Sequence, residues 1–157
     1  MGLSNSNNAS NDSLYTPKVI FEALGVKFDL DPAHPNHPTE VPTKDYYTEL
    51  NDGLALAWYG FVWLNPPFRK SALWVDKFIE HNNGIMLCQM SKSKWFWNVW
   101  EKADVIQVIP QNLKFLNKEG KGQTIFMPTC LVGMGEKAVQ IIKNSNLATA
   151  RVSISYE

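Results

Sequence analysis

Four consecutive residues could do chemistry together: Asn65-Pro66-Pro67-Phe68, placed directly after the apolar run Phe61-Val62-Trp63-Leu64. Each proline fixes its own φ and constrains the residue before it, so the loop is stiff. Neither proline has an N–H, which leaves the carbonyls as acceptors without local competition. The Asn65 side chain adds another acceptor, and Phe68 adds a flat aromatic face. This set suits an exocyclic amine on an aromatic ring, whose lone pair is delocalised and poorly nucleophilic. The Asn65 oxygen and the Pro66 carbonyl would take both N–H hydrogens, draw the nitrogen toward tetrahedral geometry and aim its lone pair at an electrophile. Phe68 would stack on the ring, and the gain is mainly orientation. No strong general base is required, because the amine loses its proton after it becomes cationic. A base inside a duplex is out of reach of such a loop, so it must be flipped out or single-stranded. Taken alone, the tetrad also fits a rigid turn closing a strand.

The elements that must position this loop follow from periodicity and punctuation. Thr16 is a good N-cap and Pro17 a good first helical residue, with Gly25 as the stop. A helix over 17–24 is predicted to bury Val19, Ile20, Ala23 and Leu24. Val26, Phe28 and Leu30 alternate with polar residues, which predicts a strand ending in Asp29-Leu30-Asp31-Pro32. Repeated Pro and His make 33–44 an irregular loop. Asp52-Gly53 marks a turn, with an apolar segment over 54–58 behind it. The run 61–64 is of the kind buried on both faces of a parallel sheet.

Further along, 71–81 reads as a helix with Leu73, Trp74, Phe78 and Ile79 inward. A buried strand over 85–88, an aromatic helix over 95–102 and strands over 105–109 and 124–132 follow. Residues 117–122 form an exposed hairpin tip, 136–143 a helix and 151–155 a last edge strand. Strands alternating with helices predict one α/β domain over 14–157 with a mainly parallel sheet whose last strands turn antiparallel. The Asn/Ser-rich residues 1–13 are expected to be a disordered tail.

The chain of 157 residues is long enough to bury a real core. Its 15 basic and 15 acidic residues give a formal net charge of zero. That argues against coating nucleic acid by charge alone, though not against a local basic face. Cys88 and Cys130 lie in apolar stretches without metal-like spacing, which predicts buried free thiols in a reducing cytosol. No apolar run approaches the ~18 residues of a membrane span, and no signal peptide is read, so a cytoplasmic protein is expected. A myristoylation-like Gly2 and Ser6, and sequons at Asn8 and Asn11, fall in the tail and are set aside. His34 and His37 have no acidic or Cys partner at suitable spacing, so no metal site is predicted.

Basic residues cluster after predicted strand ends: Arg69 and Lys70, Lys92 and Lys94, then Lys114, Lys118 and Lys121. Loops at one sheet edge would bring them to one face as phosphate contacts, although scattered surface lysines are the plainer explanation. Among six tryptophans, Trp95 and Trp97 beside Lys94 could be stacking residues or core.

The ordered series Tyr15-Thr16-Pro17, Asp29-Leu30-Asp31-Pro32-Ala33, Asp52-Gly53-Leu54, Trp58, Gly60 and Val62-Trp63-Leu64-Asn65-Pro66-Pro67-Phe68 resembles the phage-type DNA N-6-adenine methyltransferases. The resemblance spans roughly residues 15 to 135. It implies a Rossmann-like S-adenosylmethionine-dependent methyltransferase fold. It also implies site-specific transfer of a methyl group from S-adenosylmethionine to the exocyclic amine of adenine in DNA, with Asn65, Pro66, Pro67 and Phe68 catalytic. Tyr15, Thr16 and Pro17 would line the cofactor's methionine end. Asp29, Asp31 and Pro32 would stand at the cofactor-binding strand end, and Asp52 near the adenosine. The cofactor's ammonium, sulfonium and ribose hydroxyls suit carboxylates and aromatic faces. Arg69, Lys70, Lys92, Lys94 and Lys121 would contact DNA.

The glycine-rich loop usual after the first strand of such enzymes is missing here, and Ala33-His34-Pro35-Asn36-His37-Pro38 takes its place. This departure puts the cofactor geometry in question. The resemblance further implies a phage-encoded enzyme in the bacterial host cytoplasm, protecting phage DNA from host restriction. Three rivals remain: a cytosine-N4 DNA methyltransferase, a non-catalytic binding module of the same fold, and a protein amide methyltransferase. The basic loops lean against the last.

Overall fold

A computed structural model describes residues 15–67, 69–110, 113–117, 119, 121–123, 128–145, 147 and 151–152. The predicted tail, Phe68, Lys118, residues 124–127 and residues 153–155 lie outside the described residues. In chain order the elements are α1 (Lys18–Leu24), β1 (Phe28–Asp31), β2 (Thr43–Tyr46), β3 (Val62–Leu64), α2 (Ser71–His81), β4 (Gly84–Gln89) and α3 (Lys94–Lys102). They continue with β5 (Val105–Val108), β6 (Phe115–Leu116), β7 (Gly122–Gln123), β8 (Thr129–Met134), α4 (Glu136–Asn144) and β9 (Arg151–Val152).

The continuous apolar runs become the middle of a sheet ordered β2-β1-β3-β4-β8-β5-β9. The pairs β2–β1, β1–β3 and β3–β4 are parallel. β8 enters antiparallel between β4 and β5, and β9 pairs antiparallel with β5. The α/β class with antiparallel last strands therefore holds, but the sheet is mixed and not mainly parallel, with three parallel and three antiparallel pairings. β6 and β7 form a separate two-stranded ribbon around the predicted hairpin tip.

Alternation along β3 and β4 sends side chains into two cores. Trp63, Ile85 and Leu87 join Ile20, Phe21 and Leu24 of α1 and Ala138 and Ile142 of α4. Leu64, Met86 and Cys88 join Trp74, Val75 and Phe78 of α2 and Phe96 and Val99 of α3. Helices thus cover both faces of the sheet. Cys88 and Cys130 are buried free thiols, as expected, facing each other across β4 and β8 with their Sγ atoms 4.0 Å apart.

Several expectations are corrected. Thr16 does not cap α1; Pro17 holds the N-cap position in an extended conformation, and no side chain caps the helix. The buried face of α1 is Ile20, Phe21 and Leu24, with Val19 exposed and Ala23 half-buried, because Phe21 packs edge-on against Trp63 at 4.8 Å. In α2, Val75 takes the inward place assigned to Leu73, which is exposed, and Ile79 is half-buried. The 33–44 loop ends early, at β2. That strand is a polar edge, Thr-Lys-Asp-Tyr, held by pairing to β1 and not by an apolar face. The first predicted strand begins at Phe28, and the one expected over 124–132 is β8, reaching Met134.

Candidate active site

Parallel strands β1, β3 and β4 direct their carboxyl ends to one edge, where open α/β sheets bind ligands. Asn65, Pro66 and Pro67 leave β3 at this edge, each half-buried. Ser71 Oγ donates to the Pro67 carbonyl at 3.0 Å, tying the loop into the first turn of α2. Lys70, just before that helix, sits at φ 61, a left-handed conformation unusual outside glycine. Among the described residues, neither the Asn65 side chain nor the Pro66 carbonyl has a hydrogen-bond partner. Both acceptors are open.

The end of β1 is arranged differently. Asp29 Oδ2 accepts the Phe61 N–H at 2.7 Å, and Lys44 Nζ lies 3.2 Å from Oδ1. The Phe61 bond, then the Lys44 bond, hold this carboxyl below its ordinary pKa. The Asp31 side chain is 2% exposed, with Oδ2 2.8 Å from His34 Nδ1 and Oδ1 accepting the Ala33 N–H at 3.2 Å. Burial raises the Asp31 pKa, opposed by the bond and charge of His34. The His34 ring also stacks on Tyr46 at 4.3 Å. Backbone bonds from Tyr47 to Asp31 and from His34 to Tyr47, both 2.9 Å, stitch the loop to the end of β2. This buried pair and its stitching stand where a glycine-rich loop was missed. His34, weighed by sequence only as a metal ligand, is a structural partner of Asp31.

Asp52 is brought to the same place. Gly53 packs so tightly that a Cβ there would lie 2.0 Å from the Pro32 carbonyl oxygen and 3.0 Å from Trp74 Cη2. The exposed Asp52, at φ 60, therefore stands beside the end of β1. Lys77 of α2 fastens this turn by donating to the carbonyls of Leu54 at 2.7 Å, Gly53 at 3.4 Å and Leu56. Trp58 Nε1 donates to Gly53 at 2.8 Å, and its ring stacks on Trp74 at 6.2 Å. Neither Ser71 nor Lys77 carried a sequence signal, since each reads as an ordinary polar helix position.

Tyr15 packs edge-on against His37 at 4.5 Å, which places it on the loop after β1, and burial raises its phenol pKa. Pro17 is buried. Thr16 is 5% exposed, and its Oγ1 has no hydrogen-bond partner among the described residues. A buried hydroxyl without a partner is costly unless something else supplies one. Arg69, Lys70 and Lys92 are exposed in the loops after β3 and β4 and Lys94 at the first residue of α3, whereas Lys114 and Lys121 adjoin the strands of the β6–β7 ribbon.

A separate cleft lined by Leu54, Trp58, Leu73, Asp76, Lys77, Glu80 and His81 contains none of the predicted site residues. Among the described residues no three His, Cys, Asp or Glu come together as a metal cradle. No helix among them is long and apolar enough to cross a membrane.

Comparison with known proteins adds two findings. Residues 3–145 match the family described as DNA N-6-adenine-methyltransferase (Dam). The chain is also 32% identical over 127 residues to the DNA N-6-adenine-methyltransferase of Escherichia phage T1, covering 69% of this chain and 52% of that protein. It thus spans about half the length of this curated relative. No solved structure matches it.

Proposed function

Because the chain belongs to the DNA N-6-adenine-methyltransferase family, we propose that it transfers a methyl group from S-adenosylmethionine to the exocyclic amine of adenine in DNA. The observation that carries this reading is the pair of open acceptors, the Asn65 side chain and the Pro66 carbonyl, on a stiff loop at the carboxyl end of β3. An adenine amine donating both N–H hydrogens to them has its lone pair freed from the ring. The loop is already rigid before the base arrives, so orienting the amine costs little reorganisation. After transfer the cationic nitrogen releases its proton to water, and the loop itself takes none. The base must be extruded or single-stranded to reach the loop.

The residues present suit the cofactor. S-adenosylmethionine, when bound, supplies an electrophilic methyl group on a sulfonium. The Thr16 hydroxyl, without a partner among the described residues, and the exposed Asp52 carboxylate are available to its polar groups, with Tyr15 and Pro17 beside Thr16. Asp29 and Asp31 also hold the walls of the site, and these bonds leave lone pairs on their oxygens for the contact with the cofactor expected at this strand end. Phe68 is kept as the stacking residue on the strength of the motif. The similarity to a phage T1 protein supports a phage origin, action in a bacterial host and protection of phage DNA at specific sites.

The test is incubation with labelled S-adenosylmethionine and unmethylated DNA, followed by nucleoside analysis. Label in N6-methyladenine is expected. Label confined to cytosine would replace this reading with the N4 enzyme. Calorimetry showing no cofactor binding by folded protein would point to a non-catalytic module.

A further inference from the structure

The proposed reaction leaves unassigned the aromatic helix that follows β4. In α3, Phe96 and Val99 are buried in the core shared with α2, and Trp95 packs edge-on against Phe96 at 6.0 Å. Trp97 does neither. It is 56% exposed, a large apolar surface left in water at the start of a helix. Lys92 and Lys94 flank that start, both exposed, and neither forms an ion pair among the described residues. No acidic residue occupies the first turn of α3.

The position of this surface follows from strand pairing. β3 and β4 run parallel, with Trp63 opposite Ile85 and Leu64 opposite Met86. Their outgoing loops therefore leave the same edge on strands about 5 Å apart. One loop carries Asn65 with Arg69 and Lys70; the other carries Lys92 and leads into Lys94 and Trp97 in the first turn of α3. The neighbouring helix α2 offers the opposite charge. Asp76 and Glu80 are exposed there, while Lys77 is drawn onto the carbonyls of Gly53, Leu54 and Leu56. Two carboxylates against one lysine make that face less favourable to a polyanion than the other.

We propose that Lys92, Lys94 and Trp97, continuous with Arg69 and Lys70, form the DNA-contact surface, with Trp97 stacking on a base beside the target adenine. The lysines hold phosphates, and the indole supplies a sequence-tolerant stacking contact. The assignment rests on the DNA-methylation reading above and adds the path of the DNA: over the start of α3 and away from the acidic face of α2.

The experiment measures binding of fluorescently labelled adenine-containing DNA, as duplex and single strand, together with the cofactor Kd from calorimetry. Trp97→Ala is expected to weaken DNA binding about tenfold without changing its salt slope. Trp97→Phe should recover part of the loss. Lys92→Gln and Lys94→Gln should each lower the salt slope by about one. The cofactor Kd stays at the wild-type value in all four variants, which also reports that they are folded. Leu73→Ala, an equally exposed control on α2, should leave DNA binding unchanged. DNA affinity within twofold of wild type in Trp97→Ala overturns the assignment while methylation by the wild type leaves the function standing. The same holds if that variant loses self-association instead of DNA affinity, because the indole is then a protein contact. Wild-type protein that neither binds nor methylates DNA overturns both.

Discussion

After β1, the carboxylates of Asp29 and Asp31 are engaged by Phe61, Lys44, Ala33 and His34, whereas after β3 the Asn65 side chain and the Pro66 carbonyl have no hydrogen-bond partner among the described residues. The two loops leave adjacent strands at the same edge, and both open with a polar residue followed by proline. The difference lies in the donors nearby. Ala33 and Phe61 present N–H groups to the aspartates, while Pro66 and Pro67 have none to present to Asn65. Acceptors engaged by the protein hold a shape, and acceptors without a described partner are free to receive a donor from outside. A polar residue at a strand end says little about function until its partners are counted.

Substitutions can break or sharpen this contrast. The largest effect is expected for Asn65→Ala, which should lower the methyl-transfer rate about a thousandfold or more, the scale of losing a preorganised polar contact to the reacting group. Its denaturation midpoint and cofactor affinity should stay near wild type; full activity would remove Asn65 from the mechanism.

Asp31→Ala should behave in the opposite sense, losing about 3 kcal/mol of folding stability as His34 and the Ala33 N–H lose a buried partner. Chemical denaturation measures this. A stable variant with weakened cofactor binding would instead make Asp31 a direct ligand and collapse the contrast. Gly53→Ala places a methyl against the Pro32 carbonyl oxygen and should cost about 2 kcal/mol, with a weaker cofactor Kd as Asp52 is displaced.

The smallest effect is that of Asp29, whose pKa is lowered in the folded state. Its stabilisation is present above the ordinary carboxylate pKa and is lost as pH falls through the lowered value. Asp29→Asn should therefore flatten the acid limb of stability against pH while leaving the transfer rate near wild type. An unchanged acid limb would mean that the Phe61 and Lys44 contacts contribute nothing.

Much of the architecture was legible locally. Phe61 to Leu64 and Ile85 to Cys88 read as buried strands because burial on both faces demands unbroken apolar residues, and so they are. β2 escaped because a polar edge strand has no buried face to set a period; pairing with β1 alone defines it. The phase of α1 was misjudged by one residue because Phe21, and not Val19, finds Trp63 across the core. The stiffness and acceptor content of the Asn65 loop were legible, but the Ser71 clasp on Pro67 and the Lys77 clasp on the 53–56 turn were not.

By itself, the sequence determined the order of the helices and of the buried strands, the rigid loop after Leu64 and the family, because these depend on near neighbours and on ordered motifs. Tertiary structure decided which polar groups remain open. Asp29 meets Phe61 across 32 residues, and Lys77 reaches Gly53 across 24. Hydrogen-bond satisfaction is an accounting over the whole packed sheet edge, closed only when distant segments meet.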